Sequence, residues 1–283
     1  MLWTQDWLNL NMHWVGVLSF GDCGEVLISV GFCCGLMGGC ALRVEGLVVR
    51  YGDKVAVKGL SFVINGGEVY CLPGPNGAGK TSTIKAVLGL VKYEGLIDVL
   101  GLGPPSPGVM NSVGVVMESP AVLEALTPRE FFEFLGSVRG RFNIKRVETL
   151  MEAFELRDYL DTPIAALSAG NRQKVAIVAA LLHEPRLLPL DEPFNFLDAK
   201  SVRVFKEVMR RHVESGGSIL FSTHIMEVAE RVCDRVGILN EGVLITEGTI
   251  DEIKEGVKAG TLEDAFLKAI HADEEIRAIL EGL

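Results

Sequence analysis

The chain has 283 residues, 48% of them hydrophobic and 23% charged. That balance excludes a disordered protein and is ample for a domain with its own core. The formal net charge is −10, without the basic surplus that grips phosphate backbones, so no nucleic-acid partner is expected.

Six cysteines in a chain this long are not a disulfide framework, which points to a reducing compartment. Residues 1–41 differ from the rest. They hold Trp3, Trp7 and Trp14, four of the six cysteines (Cys23, Cys33, Cys34, Cys40), and no Lys or Arg. Asp6 stands where a secretory signal needs a basic start. The uncharged run Val26 to Leu42 falls just short of a spanning helix and is broken by glycines. The expectation is an N-terminal extension, disordered or upstream of a natural start at Met37. A membrane anchor is the lesser alternative.

From residue 42 an ordinary domain pattern begins. Leu42 to Tyr51 and Lys58 to Tyr70 carry β-like runs. Asn65-Gly66-Gly67 predicts a tight hairpin. The apolar stretch Val69 to Leu72 leads into a glycine-rich loop, and Lys80 to Leu90 reads as a helix. Thr127-Pro128-Arg129-Glu130 is a helix start with a capping Thr, an early Pro and a Glu three residues on. Helical patterns follow through Phe131–Val138 and Val147–Phe154, and again at Ser168–Leu182. Leu187–Leu190 is a short apolar strand, Val202–Val213 a helix, and Ser218–Ser222 a strand. Arg235–Thr246 reads as a strand pair about Asn240-Glu241-Gly242, and Leu262–Ile270 as a closing helix. Strands alternating with helices predict a mostly parallel α/β sheet.

Gly74-Pro75-Asn76-Gly77-Ala78-Gly79-Lys80-Thr81, with Ser82 behind it, matches the phosphate-loop pattern G-x-x-x-x-G-K-[ST] in full. Glycines let the backbone wrap a phosphate chain with its N–H groups inward, and the helix behind offers its positive end. Lys80 is placed to reach the outer phosphates and Thr81 to give a hydroxyl to magnesium. Asp191-Glu192 ends the apolar run Leu187–Leu190, which sets carboxylates at the carboxyl edge of a sheet. Asp191 is then a candidate magnesium ligand and Glu192 a candidate base for an attacking water. His183, His212 and His271 show no ligand spacing and are read as structural or solvated, and Cys71 and Cys233 as small buried apolar residues.

Between the two motifs lies Leu167-Ser168-Ala169-Gly170-Asn171-Arg172-Gln173-Lys174, which resembles the signature of the ABC transporter ATPases, usually Leu-Ser-Gly-Gly-Gln. Other elements of that family stand in order: an aromatic, Tyr51, before the loop; Glu118 where the family has a Gln loop; Leu197-Asp198 as in its D-loop; and His224 at a strand end like its switch histidine. The resemblance runs from about Leu42 to Leu283. It implies a P-loop NTPase of α/β class, with a RecA-like core, an antiparallel β-subdomain and a helical subdomain over about 121–166. The ATPase domain would span 42–250 and a C-terminal helical segment 251–283.

It further implies ATP and Mg2+ as cofactors, with adenine on Tyr51, phosphates on residues 74–82, and Glu118, Thr81 and Asp191 about the metal. Glu192, His224 and Lys80 would carry catalysis. Ser168, Ala169 and Gly170 would close on the outer phosphate of a second ATPase domain in a head-to-tail dimer. A separate membrane permease would be the other partner, with the chain peripheral on the cytoplasmic face of the membrane. Thr261 to Leu267 resembles the closing helix of the drug, sodium and polysaccharide exporter branch. The alternatives are a non-transport ABC ATPase or a nucleotide-binding regulator with impaired turnover.

The sequence departs from the family pattern at several points. Pro73 and Pro189 fall in strands that feed the phosphate loop and Asp191, and Pro cannot donate to a ladder. Each would cost up to about 3 kcal/mol unless a bulge or strand end absorbs it. Cys71 replaces a usual Gly, Ala169 and Asn171 soften the signature, and Phe194 and Phe196 are bulky for a D-loop. The expectation is an active, slow ATPase.

Overall fold

A computed structural model describes residues 39–140 and 143–270. The expected extension over 1–41 therefore lies almost wholly outside the described residues, as does the end of the 251–283 segment. In chain order the first elements are β1 (Cys40–Tyr51), β2 (Lys54–Asn65), β3 (Val69–Pro73), α1 (Lys80–Val87) and β4 (Tyr93–Val99). Next come α2 (Pro107–Met110), α3 (Pro128–Arg139), α4 (Ile144–Ala153), α5 (Ala169–Leu181) and β5 (Leu187–Asp191). The remainder is α6 (Ala199–Glu214), β6 (Ser218–Thr223), α7 (Met226–Val232), β7 (Arg235–Asn240), β8 (Val243–Thr249), α8 (Ile250–Gly256) and α9 (Leu262–Ala269).

The strands form two sheets. One is antiparallel, in the order β2-β1-β4; the other has the order β5-β6-β3-β7-β8, with β8 antiparallel to β7 and the rest parallel. The hairpin of the first sheet turns at Gly52-Asp53, where Tyr51 pairs with Lys54. The predicted hairpin at Asn65-Gly66-Gly67 does not form. That turn instead carries the chain from β2 in one sheet to β3 in the other. The reason is the side-chain pattern of β3, which is buried on both faces and fits only the middle of a covered sheet.

Alternation along β3 splits the core into two. Val69 and Cys71 face a cluster with α5, α6 and the helical segment α3–α4, through Phe131, Phe132, Val175, Val178, Phe205 and Met209. Tyr70 and Leu72 face a second cluster with α1 and the antiparallel sheet, through Leu42, Val44, Phe62 and Ile84. The helix start at Thr127 is as the sequence predicts. Its side chain accepts from the Glu130 amide, and Glu130 accepts in return from the Thr127 amide.

Both prolines are accommodated. Gly74 donates its amide to Thr223 of β6, so strand alternation turns the Pro73 nitrogen toward β7. The β7 register has already ended at Cys71–Val236. Pro189 does not lie in a central strand, because β5 is the sheet's edge. Its carbonyl accepts from Val116 on the outer side, and Asp191 donates there to Val116. The missing N–H faces that outer side too, where residues 113–116 pair only through two isolated bridges.

His212, near the end of α6, is buried. Burial, with some help from Arg146, pushes its imidazole down to about 4, against a smaller upward pull from the Ser218 backbone. The folded ring therefore stays neutral where the unfolded one, near 6.5, takes a proton. Stability is full above pH 6.5 and falls as the pH drops toward 4. We expect a destabilisation of about 2 kcal/mol across that window. Thermal melts of His212→Gln between pH 6.5 and 4.5 should show a flatter pH slope than wild type.

Candidate functional site

The glycine-rich loop leaves β3 at the carboxyl edge of the parallel sheet and enters α1 at Lys80. Gly79 is the residue before the helix, with φ at 107°, a conformation that only glycine adopts cheaply. A Cβ there would also lie 2.7 Å from the Ala56 carbonyl. Lys80 is buried, and its ammonium donates to the carbonyls of Gly74 at 2.7 Å and Pro75 at 3.1 Å. It stands 3.4 Å from Oε1 of Glu192.

Glu192 follows β5 with φ at 48°, a left-handed turn that swings its buried carboxylate away from the strand direction. Its Oε2 lies 3.0 Å from Nδ1 of His224, which sits just past the end of β6 and is largely exposed. Lys80, Glu192 and His224 thus form one chain of polar contacts that links the start of α1 to the ends of β5 and β6. Asp191 is fully buried. Its Oδ1 accepts from the Ser222 hydroxyl at 2.6 Å, and its Oδ2 has no hydrogen-bond partner. An orphaned buried carboxylate oxygen is costly unless a cation or water meets it.

A cleft of about 370 Å³ opens over Lys80 and Glu192. Tyr51, Asn76, Gly77, Ala78, Gly79, Lys80, Thr81, Ser82, Glu118 and Glu192 all line it. The structure therefore brings together, from four separate segments, the aromatic, most of the loop, Glu118 and Glu192 picked out in the sequence, while Gly74, Pro75, Asp191 and His224 do not line the cleft. Lys54 and Ala56 of β2 also line the cleft and were not among the predicted residues. Ser222 was missed as well. Its only sequence signal is its place on β6 beside the neighbouring β5, which needs the strand order to be known.

Ser168, Ala169 and Gly170 do not line this cleft. Ser168 caps α5 by accepting from the Asn171 amide at 3.2 Å, and it is exposed, as is Ala169. The start of α5 is tied to residues 193–198 in three ways. Gln173 donates to the Pro193 carbonyl at 3.2 Å, and Lys174 pairs with Asp198 at 2.9 Å. Gly170 packs so closely on the Phe196 carbonyl that a Cβ would lie 2.6 Å from it. Asp198 also caps α6 through the Ser201 amide. That hydrogen bond, then Lys174, holds its carboxyl well below the usual range.

The two bulky residues of this segment part ways. Phe194 turns inward, edge-on to Phe221 with ring centroids 6.1 Å apart and against Phe205 at 5.6 Å. Phe196 turns outward with 64% of its surface exposed, at φ of 65°. A bulky residue in that region stores backbone strain. Phe196→Gly should raise stability by about 1 kcal/mol, read as a melting temperature higher by about 2–4 °C.

The set fits a magnesium ion on a nucleotide. Mg2+ takes one or two carboxylates and hydroxyls and completes its shell with phosphate and water. Asp191 Oδ2 supplies the unpaired carboxylate oxygen, and Thr81, at the cleft wall, a hydroxyl. Among the described residues no cluster of three or more His, Cys, Asp or Glu forms a metal site without such help.

The sequence pattern of the ABC transporter family matches residues 57–195. YhaQ, an uncharacterised ABC transporter ATP-binding protein of Bacillus subtilis, is 35% identical over 240 residues, covering 83% of this chain and 78% of YhaQ. The Nod factor export ATP-binding protein I of Burkholderia lata is 38% identical over 205 residues, covering 70% of this chain and 67% of its own length. The solved structure of an ATP-binding subunit of an ABC transporter superposes with a TM-score of 0.76 at 32% identity, covering 81% of this chain and 99% of that one.

Proposed function

This chain belongs to the ABC transporter family of ATP-binding proteins, and on that premise we propose how its cleft hydrolyses ATP. The observation that carries the reading is the Lys80–Glu192–His224 chain of contacts beside the orphaned oxygen of Asp191. The loop amides of residues 74–82 and the N-terminus of α1 bind the phosphates. Lys80 exchanges its loop carbonyls for phosphate oxygens, and Tyr51 stacks on the base. Thr81 and Asp191 hold magnesium, with Glu118 at the cleft rim reaching its water shell. The ion, when bound, neutralises charge on the β- and γ-phosphates. Glu192 accepts the proton of the attacking water, and His224 holds that carboxylate in place.

The exposed Ser168–Gly170 segment closes on the outer phosphate of a second ATPase domain. The ties from α5 to residues 193–198 carry the state of one site to the other. ATP binding then joins two domains, and hydrolysis parts them. The chain works as the ATPase subunit of an exporter, peripheral on the cytoplasmic face of the membrane, with the path through the bilayer in a separate permease. The Nod factor export relative and the solved ATP-binding subunit support this reading. No helix among the described residues is long and apolar enough to cross a membrane.

Metal removal tests the cleft directly. Turnover should need magnesium and stop in excess EDTA, and Asp191→Asn should raise the magnesium requirement at least about tenfold. Phosphate release that continues unchanged in EDTA would rule out the assigned metal site.

A further inference from the structure

A cavity of about 820 Å³ lies away from the nucleotide cleft, between α4 and α6. Its size is that of a small-molecule site. Its origin is legible in helix periodicity. Lys200, Arg203, Val204, Glu207, Val208, Arg211 and His212 recur at three- and four-residue steps and share one face of α6. Arg146, Leu150 and Ala153 do the same on α4. Leu150, Ala153, Val204 and Val208 make an apolar floor between the two faces, and the cations stand at its edges.

Two features point to a ligand of defined chemistry. Four cations and one acid line the cavity, in a chain whose net charge is −10. Lys200 is paired with Glu155, Arg211 with Glu207 at 2.7 Å, and Arg146 lies 3.8 Å from Glu184. Arg203 has no ion-pair partner among the described residues. In addition, Nε of Arg146, a residue that lines the cavity, is buried without a hydrogen-bond partner. A guanidinium N–H in that position calls for an acceptor.

We propose that the α4–α6 groove binds an amphipathic carboxylate, with its acyl chain on the Leu150–Val204–Val208 floor and its head between Arg146 and Arg203. Such a ligand bridges the helical segment α3–α4 and the core helix α6. It can therefore bias how the two pack and act on ATP turnover from outside the cleft. The site stands independently of the nucleotide reading, because it shares no residue with the cleft.

The test is calorimetric titration of the full chain with decanoate, 1-decanol and decyltrimethylammonium, below their aggregation limits. Decanoate should bind one per chain and at least tenfold tighter than either of the others. Arg203→Ala, a surface change, and Val208→Trp, which fills the floor, should each weaken decanoate at least tenfold and leave ATP affinity unchanged. Equal binding of decanoate and decanol, non-saturating uptake, or indifference to both substitutions would overturn the proposal. So would concentration-dependent self-association without nucleotide that Val208→Trp abolishes, since the groove would then hold a second copy.

Discussion

Glu192→Gln is expected to cut phosphate release by about 10²–10⁴-fold while ATP still binds. The substitution keeps the size and the left-handed turn but removes the proton acceptor. It also converts the 3.4 Å contact with Lys80 from charge–charge to charge–dipole. That frees the ammonium for phosphate, so ATP affinity should hold or rise. On the proposed cycle, in which ATP joins two domains and hydrolysis parts them, the variant should accumulate as an ATP-bound dimer. Phosphate release and size-exclusion elution in the same samples check both halves. A variant that turns over at more than a tenth of the wild-type rate would move the base elsewhere in the cleft.

Lys80→Met should have the opposite profile, with ATP affinity lost and the apo protein less stable. Lys80 and Glu192 are both 6% exposed, so removing the ammonium strands a buried carboxylate with only His224 beside it. Breaking a buried pair from one side typically costs about 3–5 kcal/mol, and the exposed His224 brings this case to the lower end. The missing charge-assisted contacts to phosphate should weaken ATP binding about 10–150-fold. The double variant Lys80→Met/Glu192→Gln separates the two effects. It should recover most of the lost melting temperature, because no charge is left unpaired, and none of the ATP affinity. Calorimetry with ATP and a thermal melt on the four proteins complete the cycle.

Much of the site was legible because its chemistry is local. Gly74 to Thr81 must be contiguous to wrap one phosphate chain, and Asp191-Glu192 must end an apolar strand to reach the sheet edge. The helix start at Thr127 was readable for the same reason, as a cap satisfies amides two or three residues away. β4 was not readable. It alternates poorly and carries Gly95 where β1 bulges, and it becomes a strand only by borrowing β1's free edge. The short helices α2 and α7 were missed too, being too brief to show a period.

The sequence by itself determined which atoms can do chemistry: an ammonium, two carboxylates, a hydroxyl and an imidazole, each at the end of an element that presents it. Tertiary structure alone decided what those atoms meet. Only the strand order makes Ser222 the partner of Asp191 and leaves the other carboxylate oxygen free. That order also places β5 at an edge, where Pro189 withholds a hydrogen bond from no central strand. The groove between α4 and α6 likewise exists only when two helix faces half a hundred residues apart come side by side. Ladder partners, buried orphans and cavities are products of non-local pairing. Local propensity, which a sequence displays directly, does not specify them.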